Sequence, residues 1–179
     1  MSERKVILYI SMSLDGYIST DDDDISWLDS IDHKEGEDYG YNAMSESSDT
    51  YIIGRKTYEV VKGLLNGEFP QAKQYDCYIL TRQEKENEVG ITFYNGNIKS
   101  LIDDLKSKPG KNIYCDGGGE IVKLLMSEHL IDEYIISLIP IMLGGGKRLF
   151  KGSGIRESLQ AVSSKLYESG LIQVHYKRV

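Results

Sequence analysis

Cysteine and histidine are too scarce and too scattered in this chain of 179 residues to build a site of their own. The two cysteines, Cys77 and Cys115, lie far apart inside apolar runs. That excludes a disulfide framework and a cysteine metal motif, and marks both as reduced, buried thiols. His33, His129 and His175 share no ligand spacing with cysteines or acids, so no metal is expected. Positive charge is short as well: 21 Lys and Arg against 28 Asp and Glu leave a net charge of −7. Such a balance argues against nonspecific nucleic-acid or anionic-membrane partners. No apolar run approaches the ~20 residues of a membrane span. Met1 to Lys5 leads straight into a strand-like run without the pattern of a signal peptide, so a cytoplasmic protein is expected. The acidic run Asp21 to Asp24 lacks the glycine and terminal glutamate of a calcium loop and reads as a solvated loop tip. With no internal repeat, low-complexity linker or boundary, one domain over residues 1–179 is expected. A chain of that length can bury roughly two-thirds of its unfolded surface.

Strands and helices alternate along most of the sequence. Residues 5–10 read as a strand, 11–34 as a polar loop and 35–47 as a helix weakened by Gly36 and Gly40. A strand at 50–53 runs into a helix at 55–65, and strands follow at 76–80 and 90–94. Residues 98–108 are amphipathic, with Ile98, Leu101, Ile102 and Leu105 at helical spacing, and Pro109-Gly110 stops them. A strand at 112–115, a helix at 120–127 and an apolar strand at 131–139 come next. Strands at 158–167 and 171–178 close on the turn Glu168-Ser169-Gly170. This order predicts a three-layer α/β fold: a mainly parallel central sheet with a C-terminal antiparallel β-hairpin.

Two places in that order look built for phosphate. The run Tyr51-Ile52-Ile53 ends in Gly54 and turns into a helix that begins Arg55-Lys56-Thr57. A helix N-terminus is already electropositive, so two cations there oppose the dipole unless an anion sits among them. The run Ile113-Tyr114-Cys115-Asp116 ends in Gly117-Gly118-Gly119 and enters a helix through Glu120 and Ile121. Glycines at that junction bare backbone N–H groups to a phosphate. The triplet is not the dinucleotide fingerprint G-x-G-x-x-G, because Val122 takes the third place. Two strand-to-helix junctions of this kind suggest a dinucleotide bound beyond the carboxyl ends of the strands. Thr81-Arg82, at the end of a third strand, suit an adenosine 2′-phosphate, which selects NADPH over NADH.

Residues 51–59, 79–82 and 113–119, in this order and separation, resemble the cofactor half of dihydrofolate reductase. The segments Ser13-Leu14-Asp15-Gly16-Tyr17-Ile18 and 140–150 resemble more closely the reductase domain of riboflavin biosynthesis and its stand-alone bacterial relatives. The resemblance spans nearly the whole chain. It implies the dihydrofolate-reductase-like fold, an NADPH site, hydride transfer to a small pyrimidine- or pterin-like substrate, and a homodimer. By position, Gly54, Arg55, Lys56 and Thr57 match the first phosphate-binding turn, and Thr81 and Arg82 the adenosine-phosphate loop. Asp116, Gly117, Gly118, Gly119, Glu120 and Ile121 match the second turn, while Leu14, Asp15 and Gly16 match the loop closing over the nicotinamide. Asp38 stands at the spacing from Gly54 at which true dihydrofolate reductases carry a pterin-binding carboxylate, but Asn42 replaces the aromatic residue one helical turn on. Asp15 and Asp38 are the candidate catalytic acids, and Asn42, Lys147 and Arg148 the candidate substrate contacts. Lys147, Arg148 and Lys151 form a basic cluster suited to a phosphorylated substrate. A folate reductase proper and a non-catalytic nucleotide-binding module are the alternative readings.

Overall fold

The computed structural model describes residues 3–152 and 154–179. Its frame is an eight-stranded sheet. In chain order the strands are β1 (Val6–Ser13), β2 (Tyr17–Ser19), β3 (Ser48–Gly54), β4 (Asp76–Leu80), β5 (Ile91–Tyr94), β6 (Asn112–Cys115), β7 (Glu133–Ile139), β8 (Lys147–Arg148), β9 (Leu159–Leu166) and β10 (Ile172–Arg178). The helices are α1 (Tyr41–Glu46), α2 (Arg55–Leu64), α3 (Ile98–Ser107) and α4 (Gly119–Ser127). The sheet runs β5-β4-β3-β6-β1-β7-β10-β9. Its first six strands are mutually parallel, and the hairpin β9–β10 joins through an antiparallel β10–β7 pair. The expected three-layer α/β architecture with its closing hairpin is what forms.

Alternation in the strands divides the core between the two faces. From β1, Val6 and Leu8 point to one face, where Ile102, Leu105, Val122 and Leu125 of α3 and α4 cover them. Ile7 points to the other, among Met44 of α1, Tyr58 of α2 and Tyr51, Tyr75 and Tyr114. Single strands read as apolar on both sides because both sides are covered. Cys77 and Cys115 are buried free thiols in these layers, as expected, and burial pushes each up to about 12. Arg4, 7% exposed, gathers the amino end of the sheet by donating to the carbonyls of Leu105 and Lys111, to Asp49 and to Thr50.

Two expectations need correction. The helix expected over residues 35–47 is only Tyr41–Glu46, because Gly36, Tyr39 and Gly40 all have positive φ. The Asp38 carboxylate instead receives the N–H groups of Gly40 and Asn42, each at 2.9 Å, and so starts α1. The segment expected as a loop over 11–34 is also structured. β1 continues to Ser13, β2 pairs with β8, and a 3-10 turn at Ser26–Ser30 buries Trp27 against Ile31, Ile139, Tyr167 and Leu171.

Candidate functional site

The carboxyl ends of β3 and β6, side by side in the sheet, bring the two glycine junctions together. Gly54 N–H donates to the Gly117 carbonyl at 3.1 Å, and Gly118 N–H to Thr57 Oγ1 at 3.3 Å. These bonds stitch the mouth of α2 to the mouth of α4. The packing is close at both: a Cβ on Gly54 would lie 2.8 Å from Ile121 Cγ1, and one on Gly118 2.8 Å from Thr57 Oγ1, so each neighbouring side chain would have to shift. Gly117 has φ +86, a conformation that side chains disfavour. Neither helix has a side-chain cap on its first turn; at α4 the Ile121 N–H turns back onto the Gly118 carbonyl at 2.9 Å, which leaves the N–H groups of Gly119 and Glu120 and the mouth of α2 to solvent or a ligand.

Charged residues ring these mouths. Arg55 pairs with Glu59 one turn on at 2.7 Å, and Lys56 is exposed. Glu120 pairs with Lys151 at 2.8 Å and lies in the fields of Lys123 and Arg82 as well, so its carboxyl is held below its usual value. Arg82 therefore stands near the mouth of α4, and Thr81, tied by its N–H to Tyr94, holds the start of that loop.

The loop of Leu14, Asp15 and Gly16 is built into the same end of the sheet. Asp15 accepts from Ser13 Oγ at 2.6 Å and from the N–H groups of Leu143 and Gly144 at 3.1 and 2.8 Å. The Ser13 hydroxyl, then those two amides, hold its carboxyl below the usual aspartate range. Asp38 is lowered in the same way by Gly40 and Asn42. Both candidate acids are thus braced anions, ill suited to give up a proton. Leu14 is exposed, while Gly16, at φ +90, accepts from Leu149 N–H at 3.1 Å. The basic cluster is dispersed among partners. Lys147 pairs with Asp23, Arg148 lies over the Tyr17 ring, and Lys151 is taken by Glu120. Asn42 is exposed on α1.

One carboxyl at this end is of another kind. Asp116, the residue after β6, accepts from the hydroxyls of Tyr114, at 2.9 Å, and Tyr51. Burial raises its pKa above the usual aspartate value against the pull of those two phenols, and no cation opposes the effect. Tyr41 of α1, its own phenol pushed up to about 12 by burial, looks onto the same group. The sequence placed Asp116 with the cofactor turn. Its tyrosine partners come from the strand itself and from 65 residues earlier, and only the alternation of β6, which puts 114 and 116 on one face, hinted at the first. A cavity of about 400 Å³ lined by Lys5, Ile7, Met44, Asn112 and Glu133 opens at the opposite, amino end of the strands, away from the two glycine junctions, with Gly40 and Ala43 from the start of α1 in its wall.

Comparison with known proteins identifies the family and the fold. The model of the RibD C-terminal domain matches residues 4–173. The uncharacterized protein YwjB of Bacillus subtilis (strain 168) is 39% identical over 178 residues, covering 98% of this chain and 99% of its own. A structure described as a putative riboflavin biosynthesis protein from Shewanella sp. PV-4 superposes with a TM-score of 0.88 at 30% identity, over 98% of this chain and 99% of that one. The fold also matches dihydrofolate reductase from Enterococcus faecalis complexed with NADP(H), with a TM-score of 0.64 at 14% identity, over 97% and 96% of the two chains.

Proposed function

The chain belongs to the RibD C-terminal domain family, and from that premise we propose that it is an NADPH-dependent reductase of a small pyrimidine- or pterin-like substrate. The observation that carries this reading is the stitched pair of helix mouths at Gly54 and Gly117-Gly118. There uncapped N–H groups converge and glycine leaves room for a diphosphate to approach the backbone. Thr57 and the first turns of α2 and α4 would hold the diphosphate, and Arg82, next to the mouth of α4, a 2′-phosphate. When bound, the cofactor supplies the hydride; the protein supplies position and electrostatics.

The remaining side chains fit supporting parts. Asp15 fastens the loop 14–16 to residues 143–144 and so fixes the wall beside the nicotinamide position. Asp38 shapes the start of α1 on the substrate side and leaves Asn42 facing outward, an arrangement that suits a polar ring better than one stacked on an aromatic residue. Arg148 remains the basic group closest to Asp15 and Gly16. A cytoplasmic homodimer completes the proposal. β9, exposed along its whole length, is the edge such a dimer would use, and among the described residues no helix is long and apolar enough to cross a membrane.

The deciding test is thermal denaturation with each cofactor, followed by a screen of 5-amino-6-(5-phosphoribosylamino)uracil, pterins and small carbonyl compounds for NADPH oxidation. A ligand held only by the folded state raises the melting temperature by mass action. NADPH is expected to raise it and NADH much less. Equal shifts would remove the 2′-phosphate assignment to Arg82, and no shift with either would overturn the reading.

A further inference from the structure

We propose that the cavity at the amino end of the strands is a second ligand site, that it takes a free α-amino acid with an apolar side chain, and that its occupancy is felt at the start of α1. This site lies outside the reductase site, and its test needs no turnover. At about 400 Å³ the cavity falls within the range of small-molecule sites. Its floor is apolar, made by Ile7 of β1, Ile135 of β7 and Met44 of α1. Its rim carries charge of both signs. Lys5, half exposed, brings an ammonium group, and Glu3 and Glu133 bring carboxylates. Asn112 accepts the Lys5 N–H on its carboxamide oxygen at 3.1 Å, and among the described residues its amide nitrogen has no partner.

A rim of that kind sorts ligands by charge. A lone anion meets Glu3 and Glu133, and a lone cation meets Lys5. A molecule with one charge of each sign satisfies the rim: its carboxylate bridges Lys5 and Asn112, and its ammonium sits between Glu3 and Glu133. Burial pulls the Glu133 carboxyl up, but the bonds from Lys5 at 2.6 Å and His175 at 2.9 Å outweigh it and hold the group below the usual glutamate value. An ionised carboxylate with two donors still has lone pairs for a third, and Lys5 keeps protons for a second acceptor. The apolar side chain then covers Ile7, Ile135 and Met44.

The floor of the cavity continues toward the substrate side. Ile7 and Tyr9 alternate onto one face of β1, and Ile135 of β7 is the neighbour of Tyr9. The Tyr39 carbonyl accepts from the Tyr9 hydroxyl at 3.1 Å and from Gln173 Nε2 at 2.9 Å. Residues 38–40 thus cross this face as a strap, whose Asp38 starts α1 and whose Gly40, with Ala43, stands in the cavity wall. Tyr39 holds φ +54 there, a conformation that costs a side-chain-bearing residue energy. A ligand filling the cavity braces this strap and the first turn of α1 from beneath.

The experiment is an amide NMR titration of wild type, Lys5→Met and Ala43→Phe with L-leucine. Two controls, 4-methylpentanoate and 3-methylbutylamine, keep the branched chain and lack the ammonium or the carboxylate. L-leucine should shift the amides of Lys5, Ala43 and Asn112 and leave those of Gly54 and Gly118 in place. Each control should bind about tenfold or more weakly than L-leucine, the usual effect of losing one charge-assisted contact. Lys5→Met should weaken L-leucine to a similar degree. Ala43→Phe, which fills the cavity from an exposed position in its wall, should abolish binding, and urea melts check that both variants fold. Bound L-leucine should also slow hydrogen exchange at Gly40 and Asn42, whose N–H groups Asp38 accepts. No shifts at about 10 mM L-leucine, beyond the millimolar range of weak ligands, would overturn the site. Equal binding of either control would overturn the assignment to a molecule of both charges. Binding with unchanged exchange at Gly40 and Asn42 would overturn the link to α1. Should Lys5→Met fail to fold, Ala43→Phe and the two controls carry the test.

Discussion

Replacing Gly118 with alanine probes the stitched helix mouths directly. The backbone at Gly118 has φ −58 and ψ −175, which alanine adopts without strain, so any effect must come from the added methyl group. That methyl would stand 2.8 Å from Thr57 Oγ1 and 3.8 Å from Ile18 Cδ1. The first contact is too close, but the Thr57 hydroxyl can rotate, at the expense of its 3.3 Å bond from Gly118 N–H. Losing one such bond costs about 1 kcal/mol, so a urea melt should show a modest loss of stability and an intact fold. Binding should suffer more. A methyl group held between the two mouths keeps a diphosphate off the N–H groups, and stranding charge-assisted hydrogen bonds costs about 1–3 kcal/mol. Calorimetry with NADPH should therefore read a loss of affinity of roughly fivefold to 150-fold. A second background sharpens the comparison. In Thr57→Ala the crowding oxygen is gone, so adding Gly118→Ala should then cost almost no stability while still weakening NADPH binding. Unchanged affinity in both backgrounds would refute the idea that this backbone faces a phosphate.

Four further outcomes are expected. Dihydrofolate should be a poor substrate, because exposed Asn42 offers no ring to stack on a pterin, and turnover near 10 per second would contradict this. Arg4→Ala should destabilise the protein by about 3 kcal/mol in a urea melt, since it leaves the Leu105 carbonyl and Thr50 without their buried donor; a loss below about 1 kcal/mol would show the clamp to be idle. Asp116, raised in the folded state, contributes stability that is whole below the ordinary aspartate range and lost as pH rises through its folded value; Asp116→Asn should flatten that decline in melts from pH 4 to pH 8. Asp15, lowered in the folded state, has the opposite sign: its contribution is present above the ordinary value and lost as pH falls through the folded one, so Asp15→Asn should flatten the acid limb and speed proteolysis of the segment 141–144.

The sequence is most legible where structure depends on neighbours in the chain. β4 and β6 begin and end where short apolar runs meet polar residues, and α3 ends at Ser107, just before Pro109-Gly110. The glycine junctions are legible for the same reason, since a strand, a glycine and a helix follow one another directly. What depends on distant partners is not. β2 and β8 are three and two residues long and pair across most of the chain, a signal too short for any periodicity. Helix propensity over 35–47 was overruled by Gly36 and Gly40 taking left-handed turns and by an Asp38 side chain that competes for the backbone. Lys147, Arg148 and Lys151 read as a phosphate cluster because their spacing is visible and their partners Asp23, Tyr17 and Glu120 are not. Tyr51, the partner of Asp116 on β3, was hidden likewise, two strands and two helices away.

The position of β1 has a consequence for how the chain reaches this state. The first strand made is an inner one, and its two partners are β6, with Ile7 beside Tyr114, and β7, with Ile7 beside Glu133. Until more than a hundred later residues have left the ribosome, Val6, Ile7 and Leu8 have no sheet to enter and stay adhesive. Folding therefore waits on long-range closure, the regime of slow rates and exposure to aggregation during synthesis. Fragments ending after α3 should be insoluble, and a circular permutant opened in the β9–β10 turn at Glu168-Ser169-Gly170, with its old termini joined, should fold with an altered order of events.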